Sequence, residues 1–329
     1  MPPQTKERKE IRLGGQAVIE GVVMRVPERW ALALRHPSGE ITTEVNPVRT
    51  IAQAHPRIDV FPLRGILALI DSLIIGFKAL TISAAISLVE EHEDEGTGEH
   101  VKGYEVAQSR VERVEEEARE GRLGGVAMAV AMITGLALFL GVFIAFPAVA
   151  ASYMMPHVKS TILYNLVEGG LRIAVFIAYL ALVGLMPDIR RVFEYHGAEH
   201  KVVHAWEAGV PLDEEHAECF STAHMRCGTT FIVIVFVISV LVFSLLGRPP
   251  LPLRIAYRIA VIPLVAALSY EIIRFAARHE SSRIVRIVMA PGLLFQKLTT
   301  REPSPEQLDV AIAALEAATG EEATAQVPG

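Results

Sequence analysis

A stretch of 32 residues without a charged side chain, Gly124 to Met155, constrains the fold of this chain more than any other feature. The hydrocarbon core of a bilayer is about 30 Å thick, and about 20 helical residues cross it. A second uncharged run, Gly228 to Gly247, is rich in Val and Ile, but it is longer than strands usually are. Because 51% of the residues are hydrophobic, the chain is predicted to be a mainly α-helical, polytopic membrane protein.

Two further segments are apolar enough to cross a membrane if the charged side chains near their ends reach the headgroup region. Gly170 to Pro187 carries Arg172 close to its start, and Leu253 to Ile273 carries Arg254 and Arg258 in its first turns. Long basic side chains near helix ends can extend toward the headgroups, which makes such segments acceptable as spans. The sequence therefore predicts about four transmembrane helices, the first two within residues 124–187 and the last two within residues 228–275.

The apolar run at 65–89 differs from these, because Asp71 and Lys78 lie inside it, two helical turns apart and so near one face. A charge at the centre of a bilayer costs about 3 kcal/mol. We therefore expect an additional amphipathic or re-entrant helix here, which lies on the membrane or packs against the bundle without spanning it.

The distribution of basic residues predicts the orientation. With four spans, segments 1–123, 188–227 and 274–329 share one side and hold 26 of the 31 Lys and Arg residues. Because short loops rich in basic residues stay on the cytoplasmic side, both termini are expected to be cytoplasmic. The net charge of −6 gives no reason to expect nucleic-acid binding. The lipid bilayer is the expected partner, with other membrane proteins as further candidates.

The expected cytoplasmic segments differ in character. Within residues 1–64, Trp30–Arg35 and Glu40–Val45 flank Pro37-Ser38-Gly39, the pattern of a β-hairpin in a small β-containing element. The other segments are a charged linker, a His- and Cys-rich loop, and a C-terminal segment with a docking helix, at 90–123, 188–227 and 276–329. The docking helix is predicted from the capping box that Ser304 and Gln307 can form.

The His-rich loop contains the residues best suited to chemistry. His196, His200 and His204 recur every four residues, so on a helix they share one face, with Glu199 beside them. The pattern His196-x-x-Glu199-His200 matches the inverted zinc-protease motif, in which two histidines bind zinc and the glutamate is the general base. The pattern predicts a metal site, and a non-metal functional cluster or a solvated polar helix face are the alternatives.

His224 and Cys227 lie three residues apart, just before the second uncharged run. Catalytic zinc sites use three protein ligands and leave a position for water. We therefore predict His196, His200, His224 and Cys227 as ligands of a divalent metal, with zinc preferred, and His204 as an additional candidate. Cys227 could instead be a nucleophile that His224 activates, or a buried apolar side chain.

Several segments closely resemble the YqhQ family of bacterial membrane proteins. They are GGQAVIEGVVMR, YHGAEHKVVHAWEAG, STAHMRCGTTF, PLVAALSYE and PGLLFQKLTTREP, and the likeness covers most of the chain outside 90–123 and the last ten residues. The resemblance implies a multi-pass protein of the bacterial inner membrane and a predicted metal-dependent enzyme, and it implies no particular substrate. Where the family usually has His-Pro-Arg-Cys-Gly-Thr, this chain has Met225 in place of the proline.

The resemblance also draws attention to the glycine pair that opens Gly14 to Gly21. No Gly-Lys-Ser/Thr follows the pair, so a phosphate-binding loop is not expected. The pair fits a tight turn that brings the Glu20 carboxylate and the Arg25 guanidinium beside the metal site. A turn with a surface ion pair is the equally acceptable alternative.

Three functions are compatible with these features. The first is a metal-dependent hydrolase at the cytoplasmic membrane interface, with Glu199 as general base. The second is a non-catalytic assembly or quality-control factor for membrane proteins, in which the metal is structural. A transporter is less well supported, because the two uncharged runs place no ionisable group inside the bilayer.

Overall fold

The structure, a computed structural model, describes residues 13–36, 38–93, 123–279 and 282–320. Most of the predicted charged linker, residues 94–122, therefore lies outside the described residues. The described part consists of a small antiparallel sheet and a larger set of helices, which agrees with the predicted mainly helical chain with a small β-containing element.

The sheet is a four-stranded antiparallel meander in the order β1-β2-β3-β4, with strands at Gly14–Val18, Gly21–Arg25, Arg29–Arg35 and Ile41–Pro47. The predicted hairpin is confirmed, because β3 pairs with β4 from Arg29 opposite Pro47 to Arg35 opposite Ile41. Strands β1 and β2 are joined at Ile19 and Glu20, and Glu20 has φ of 52°. The tight turn therefore lies at Glu20, whereas Gly14 and Gly15 belong to an extended strand.

The helices follow in chain order: α1 (Ile51–Ala54), α2 (Leu63–Glu93), α3 (Leu123–Leu140), α4 (Phe146–Met154), α5 (Thr161–Val183), α6 (Pro187–Ala208), α7 (Glu214–Glu218), α8 (Gly228–Leu245), α9 (Leu251–Ala260), α10 (Ile262–Arg278), α11 (Arg283–Thr299) and α12 (Pro305–Thr319). A π-helical turn, Gly141–Ala145, joins α3 to α4. Pro147 has no N–H to donate to the carbonyl of Phe143, so a π-turn at this point has a local cause.

The central strands β2 and β3 are buried on both faces of the sheet. We call the unit formed by β1–β4 with α6, α12 and the second half of α2 the sheet lobe. One face, with Met24 and Ala33, packs against Tyr195 and Trp206 of α6 and Leu315 of α12. Alternate residues on the strands point to the other face, which packs on α2. That second cluster comprises Val18, Val23, Trp30, Leu32, Leu34, Val48, Ala79, Ile82 and Ile86.

Four helical segments of the described residues are long and apolar enough to cross a membrane: Leu63–Ala84, Val130–Met154, Thr161–Val183 and Gly228–Leu245. The last three overlap spans predicted from the sequence, although Thr161–Val183 begins nine residues before the predicted start at Gly170. The fourth predicted span, 253–273, is instead a pair of helices, α9 and α10, that bend by 44° and pass the same test together.

Helix α2 differs from the expectation for residues 65–89, because its length and composition place it among the candidate spans. Its two internal charges nevertheless face the sheet lobe and its neighbouring loop. Asp71 Oδ1 accepts a hydrogen bond from Ile51 N at 3.2 Å, and Lys78 Nζ lies 5.6 Å from the ring centroid of Trp30. The opposite face, with Leu73, Ile74 and Phe77, is exposed.

Candidate metal centre

Helix α6 carries the predicted histidine stripe. It begins at Pro187, which suits the first helical position, and it ends at Ala208, followed by the cap residue Gly209 with φ of 74°. Its middle is buried, with Glu199 and His200 only 6% and 2% exposed. The stripe is therefore not a solvated polar face, which removes one of the alternatives left open by the sequence.

A first ligand group consists of His196, His200 and Cys227, which each offer one donor atom within 4.8 Å of the other two. His196 Nε2 lies 3.2 Å from Cys227 Sγ. Cys227 reaches this position because it is the N-cap of α8, where its sulfur also accepts a hydrogen bond from Thr229 N at 3.4 Å. Helix α6 thus supplies two donors, and the start of α8 supplies the third.

Both histidines of the first ligand group are oriented by backbone carbonyls. His196 Nδ1 lies 2.8 Å from Thr299 O, and His200 Nδ1 lies 2.5 Å from Thr222 O. A carbonyl oxygen can only accept, so each Nδ1 carries the proton and each Nε2 presents its lone pair to the group. His200 Nε2 is buried and has no hydrogen-bond partner among the described residues. This arrangement matches the way that proteins fix metal-binding histidines.

A second ligand group lies beside the first and consists of His204, Glu207 and His224. The ring centroids of His200 and His224 are 5.7 Å apart, and those of His204 and His224 are 4.6 Å apart. The Glu207 carboxylate accepts a hydrogen bond from Arg226 Nη1 at 2.8 Å. Because an arginine already neutralises this carboxylate, the second ligand group is the weaker candidate for a metal.

His224 was predicted to join His196, His200 and Cys227, and the structure instead places it in the second ligand group. The physical reason is the turn before α8, which the side chain of Gln296 holds. Gln296 Oε1 accepts from His224 N, and Gln296 Nε2 donates to His224 O, both at 2.8 Å.

Sequence reasoning did not identify Gln296 or Thr299, although both lie in one of the segments that resemble the YqhQ family. The available signal was a glutamine within the apolar pattern of α11, where it is fully buried. A buried amide must satisfy its hydrogen bonds, so its position points to a structural partner nearby.

Burial dominates the electrostatics of the centre. Burial raises the pKa of Glu199 to about 8, against a smaller opposing effect of His196. Burial also raises the pKa of the Cys227 thiol, but interactions with His200 and hydrogen bonds with Thr229 together outweigh burial and leave the pKa below its usual value. The pKa of His200 is lowered, chiefly by burial. Both pKa shifts are in the direction of the forms that bind metal, the neutral imidazole and the thiolate.

Glu199 lies next to the first ligand group without belonging to it. Its Oε2 is buried and has no hydrogen-bond partner among the described residues. A Cβ on Gly15 would lie 2.5 Å from Glu199 Oε1, so β1 approaches the carboxyl group closely. Gly15 therefore leaves room for the Glu199 carboxyl group. The sequence had instead suggested that this glycine forms a turn.

Glu20 and Arg25 have other partners. The Glu20 carboxylate accepts from both Arg191 Nε and Arg191 Nη2 at 2.5 Å and from Tyr195 Oη at 3.2 Å. Burial lowers the pKa of Arg25, and Asp71 is its first opposing charge. The observed contacts of Glu20 correspond to the alternative interpretation, a turn with an ion pair at the surface.

The donors of the first ligand group fit zinc better than a hard cation. Imidazole nitrogen and thiolate sulfur are zinc ligands, whereas magnesium and calcium prefer oxygen. Three protein donors leave one tetrahedral position, and the orphaned Nε2 of His200 needs a partner of this kind.

Comparisons with known proteins place the chain among relatives of undefined activity. The model of a family described as "Protein of unknown function (DUF1385)" matches residues 61–321. The chain is 30% identical over 306 residues to "Uncharacterized protein YqhQ" of Bacillus subtilis (strain 168), covering 91% of this chain and 89% of the relative. No solved structure is significantly similar to this chain.

Proposed function

The chain belongs to the DUF1385 family, and we propose, from the geometry of its first ligand group, that it is a membrane-embedded, metal-dependent hydrolase that works at the cytoplasmic interface. The proposal has two parts, membrane embedding and metal-dependent chemistry, which different observations support.

The exposed apolar helices support membrane embedding. Val130–Met154, Thr161–Val183 and Gly228–Leu245 are each long enough to cross, and fewer than a quarter of their residues are buried within the protein. Side chains such as Ile133, Leu138, Leu182, Leu241 and Leu245 are more than half exposed. Contiguous apolar surface of this extent indicates a lipid environment. We place the protein in the bacterial inner membrane.

The sheet lobe determines how many times the chain can cross. Strands β1–β4 and helix α6 belong to one packed body, so an even number of crossings must separate them along the chain. Val130–Met154 and Thr161–Val183 supply two. Helix α2 therefore does not cross, and its contacts with the sheet through Ala79 and Ile82 agree with this.

The bias of basic residues then orients the lobe. The sheet lobe and the metal centre lie on the side of segments 1–123, 188–227 and 274–329, which carry 26 of the 31 Lys and Arg residues. By the positive-inside rule this is the cytoplasmic side.

The observation that carries the metal-dependent part is the orientation of three donors toward one point. Thr299 O and Thr222 O fix the Nε2 atoms of His196 and His200, and His196 Nε2 lies 3.2 Å from Cys227 Sγ. When bound, zinc would supply Lewis-acid polarisation and a water of lowered pKa. Glu199, with its pKa raised to about 8, is poised to accept and return a proton near neutral pH.

The position of the centre indicates the class of substrate. Helix α11 ends at Thr299, whose carbonyl holds His196, and it exposes Ile284, Ile287, Val288 and Leu294. An apolar helix surface that leads to the centre suits a substrate presented from the bilayer. The substrate is therefore a hydrolysable group on a lipid or in a membrane-protein segment.

Metal analysis of the purified full-length protein tests the proposal. Wild-type protein prepared without chelators should contain about one zinc ion per chain. His196→Ala and Cys227→Ala should lose most of it, whereas a substitution of His216, an exposed histidine in the nearby helix α7, should retain it when made as His216→Ala. Glu199→Gln should retain the metal, because this carboxyl is not a ligand. Wild-type protein free of metal would end the proposal.

A non-catalytic assembly factor for membrane proteins, with a structural metal, is the second candidate. One observation favours it, since the ring centroids of His200 and His224 are 5.7 Å apart, which makes His224 the candidate for a fourth protein ligand. X-ray absorption spectroscopy of the zinc-loaded protein distinguishes the two. Four protein ligands in wild-type protein, with one lost in His224→Ala, would support a closed structural site, whereas three would support the hydrolase.

A further inference from the structure

Helix α11 is fixed to the metal centre by its buried face. The carbonyl of Thr299, its last residue, lies 2.8 Å from His196 Nδ1. The buried amide of Gln296 forms two hydrogen bonds with the backbone of His224, and its Nε2 also donates to Thr230 Oγ1 at 2.9 Å. One face of α11 is therefore occupied by contacts within the protein.

The contacts between α11 and α8 indicate the depth of α11 in the membrane. A Cβ on Gly292 would lie 2.5 Å from the side chain of Thr230, and Val285 and Met289 share a buried cluster with Ile234. At 1.5 Å per residue, these two positions lie about 3 Å and about 9 Å from the start of α8. In the proposed topology α8 enters the bilayer from the cytoplasmic side at this end. Helix α11 then lies at the depth that interfacial helices occupy.

The exposed surface of α11 has an apolar side and a basic side. The apolar side consists of residues that are each more than half exposed, Ile284, Ile287, Val288 and Leu294. The basic side consists of three further exposed residues, Arg283, Arg286 and Lys297. With 3.6 residues per turn, the two sides are centred about 100° apart around the helix axis. A helix of this pattern can immerse its apolar side in hydrocarbon while its basic side reaches the headgroups.

The basic side of α11 has no counter-charge on its own helix, because Arg283–Thr299 contains no Asp or Glu. Within the part of the chain that the structure describes, Arg283, Arg286 and Lys297 form no ion pair. Arg278, exposed at the end of α10, adds a further positive charge nearby. Anionic lipids of the cytoplasmic leaflet attract basic residues at the membrane surface. The charge of this side therefore complements a negatively charged bilayer surface.

We propose that α11 is an interfacial helix that binds the phosphate headgroups of anionic phospholipids through Arg283, Arg286 and Lys297. The inference rests on the membrane-embedding part of the proposed function and does not require that the centre holds a metal. It adds a partner of defined chemistry to that function. Because Thr299 and Gln296 belong to the same helix, the bound lipids lie beside the element that positions the centre.

Native mass spectrometry tests this surface on the full-length protein, purified in detergent with an equimolar mixture of phosphatidylglycerol and phosphatidylcholine. Wild-type protein should retain phosphatidylglycerol in preference. Arg283→Gln/Arg286→Gln should lower the ratio of retained phosphatidylglycerol to phosphatidylcholine about tenfold, because two basic charges near the headgroups are lost. Arg49→Gln/Lys159→Gln is the matched control, since it removes two exposed basic residues that lie outside α11.

Equal lipid ratios for Arg283→Gln/Arg286→Gln and the control would overturn the proposed surface, as would wild-type protein without a preference. Arg283→Lys/Arg286→Lys should keep the preference, because attraction to an anionic surface depends on charge. This variant also decides the matter if the glutamine variant does not fold, since loss of the preference here would contradict the proposal.

Alkaline carbonate extraction of membranes distinguishes failure of this inference from failure of the proposed function. Wild-type protein released by carbonate would contradict membrane embedding itself. Protein that stays in the membrane but shows no lipid preference would overturn only the lipid-binding surface. Zinc content, measured on the same samples, reports on the metal centre separately.

Discussion

At the scale of single residues, the chemistry of the centre depends on groups that the sequence pattern cannot show. The spacing of His196, Glu199 and His200 identified two of the metal-ligand candidates and the candidate base. The hydrogen bonds that orient the histidines come from the carbonyls of Thr222 and Thr299, which lie 22 and 103 residues away. Any residue type has a carbonyl, so no motif marks these positions. Only the folded chain reveals which ring nitrogen is free.

Burial of Glu199 predicts a dependence of stability on pH in the metal-free protein. The pKa of this carboxyl is raised from 4.5 to about 8, so the folded state holds a proton that the unfolded state releases above pH 4.5. Its favourable contribution is therefore complete below pH 4.5 and is lost as the pH rises toward 8. Relative to Glu199→Gln, the free energy of unfolding of wild-type protein should fall by about 3 kcal/mol between pH 5 and pH 8.

Denaturant unfolding in detergent, at several pH values and with chelator present, measures this difference. Asp188→Asn serves as a control, because Asp188 is an exposed carboxylate in the first turn of the same helix. Its curve should stay parallel to that of wild-type protein. Parallel curves for wild-type protein and Glu199→Gln would contradict the assignment of a raised pKa.

At the scale of secondary-structure elements, strand β1 and helix α6 meet more closely than their sequences suggest. The sequence presents Gly14 and Gly15 as a turn, because glycine is common where φ is positive. In the structure both are extended, and only Gly15 lies against another side chain, that of Glu199. A glycine pair does not show whether the backbone bends or a neighbour approaches. The identity of that neighbour is a long-range fact that local pattern cannot supply.

This contact gives a prediction with an internal control. In Gly15→Ala the new Cβ would lie 2.5 Å from Glu199 Oε1, so the buried carboxyl must shift, and we expect a loss of about 1–3 kcal/mol in stability. Gly14→Ala should change stability by less than about 0.5 kcal/mol, because nothing lies within 4 Å of its new Cβ. Denaturant unfolding measures both.

A double-mutant cycle identifies the cause of the loss. In a Glu199→Ala background the cost of Gly15→Ala should largely disappear, since the group that it displaces is absent. An unchanged cost in that background would show that the strand itself, and not the carboxyl, is disturbed.

At the scale of the whole molecule, hydrophobicity and charge predict the positions of the long apolar helices well, and packing adds detail that the sequence does not show. The uncharged runs at 124–155 and 228–247 were predicted as long helices, and the structure has long apolar helices at Val130–Met154 and Gly228–Leu245. The segment at 65–89 shows the limit of this reasoning. Its Asp71 accepts a hydrogen bond from Ile51 N, and its Lys78 lies near the ring of Trp30 in strand β3. Both partners come from parts of the chain that are distant in sequence. Composition measures how apolar a helix is, but not what covers it.

The sheet lobe therefore leads to a prediction about topology. Because β1–β4 pack on both α2 and α6, we predict that α2 starts and ends on the same side of the membrane, which is the cytoplasmic side in the proposed orientation. A fluorescent-protein reporter inserted after residue 100 should be active in the cytoplasm, as should reporters at both termini. An alkaline phosphatase reporter should instead be active after residue 157 or residue 247, in the loops that follow α4 and α8.

Phosphatase activity after residue 100 would show that α2 crosses, and the sheet and α6 would then lie on opposite sides of the membrane. That arrangement is incompatible with their shared core, in which Met24, Tyr195 and Trp206 are buried together. An active phosphatase fusion at residue 100 would therefore contradict the packing of the sheet lobe as well as the topology.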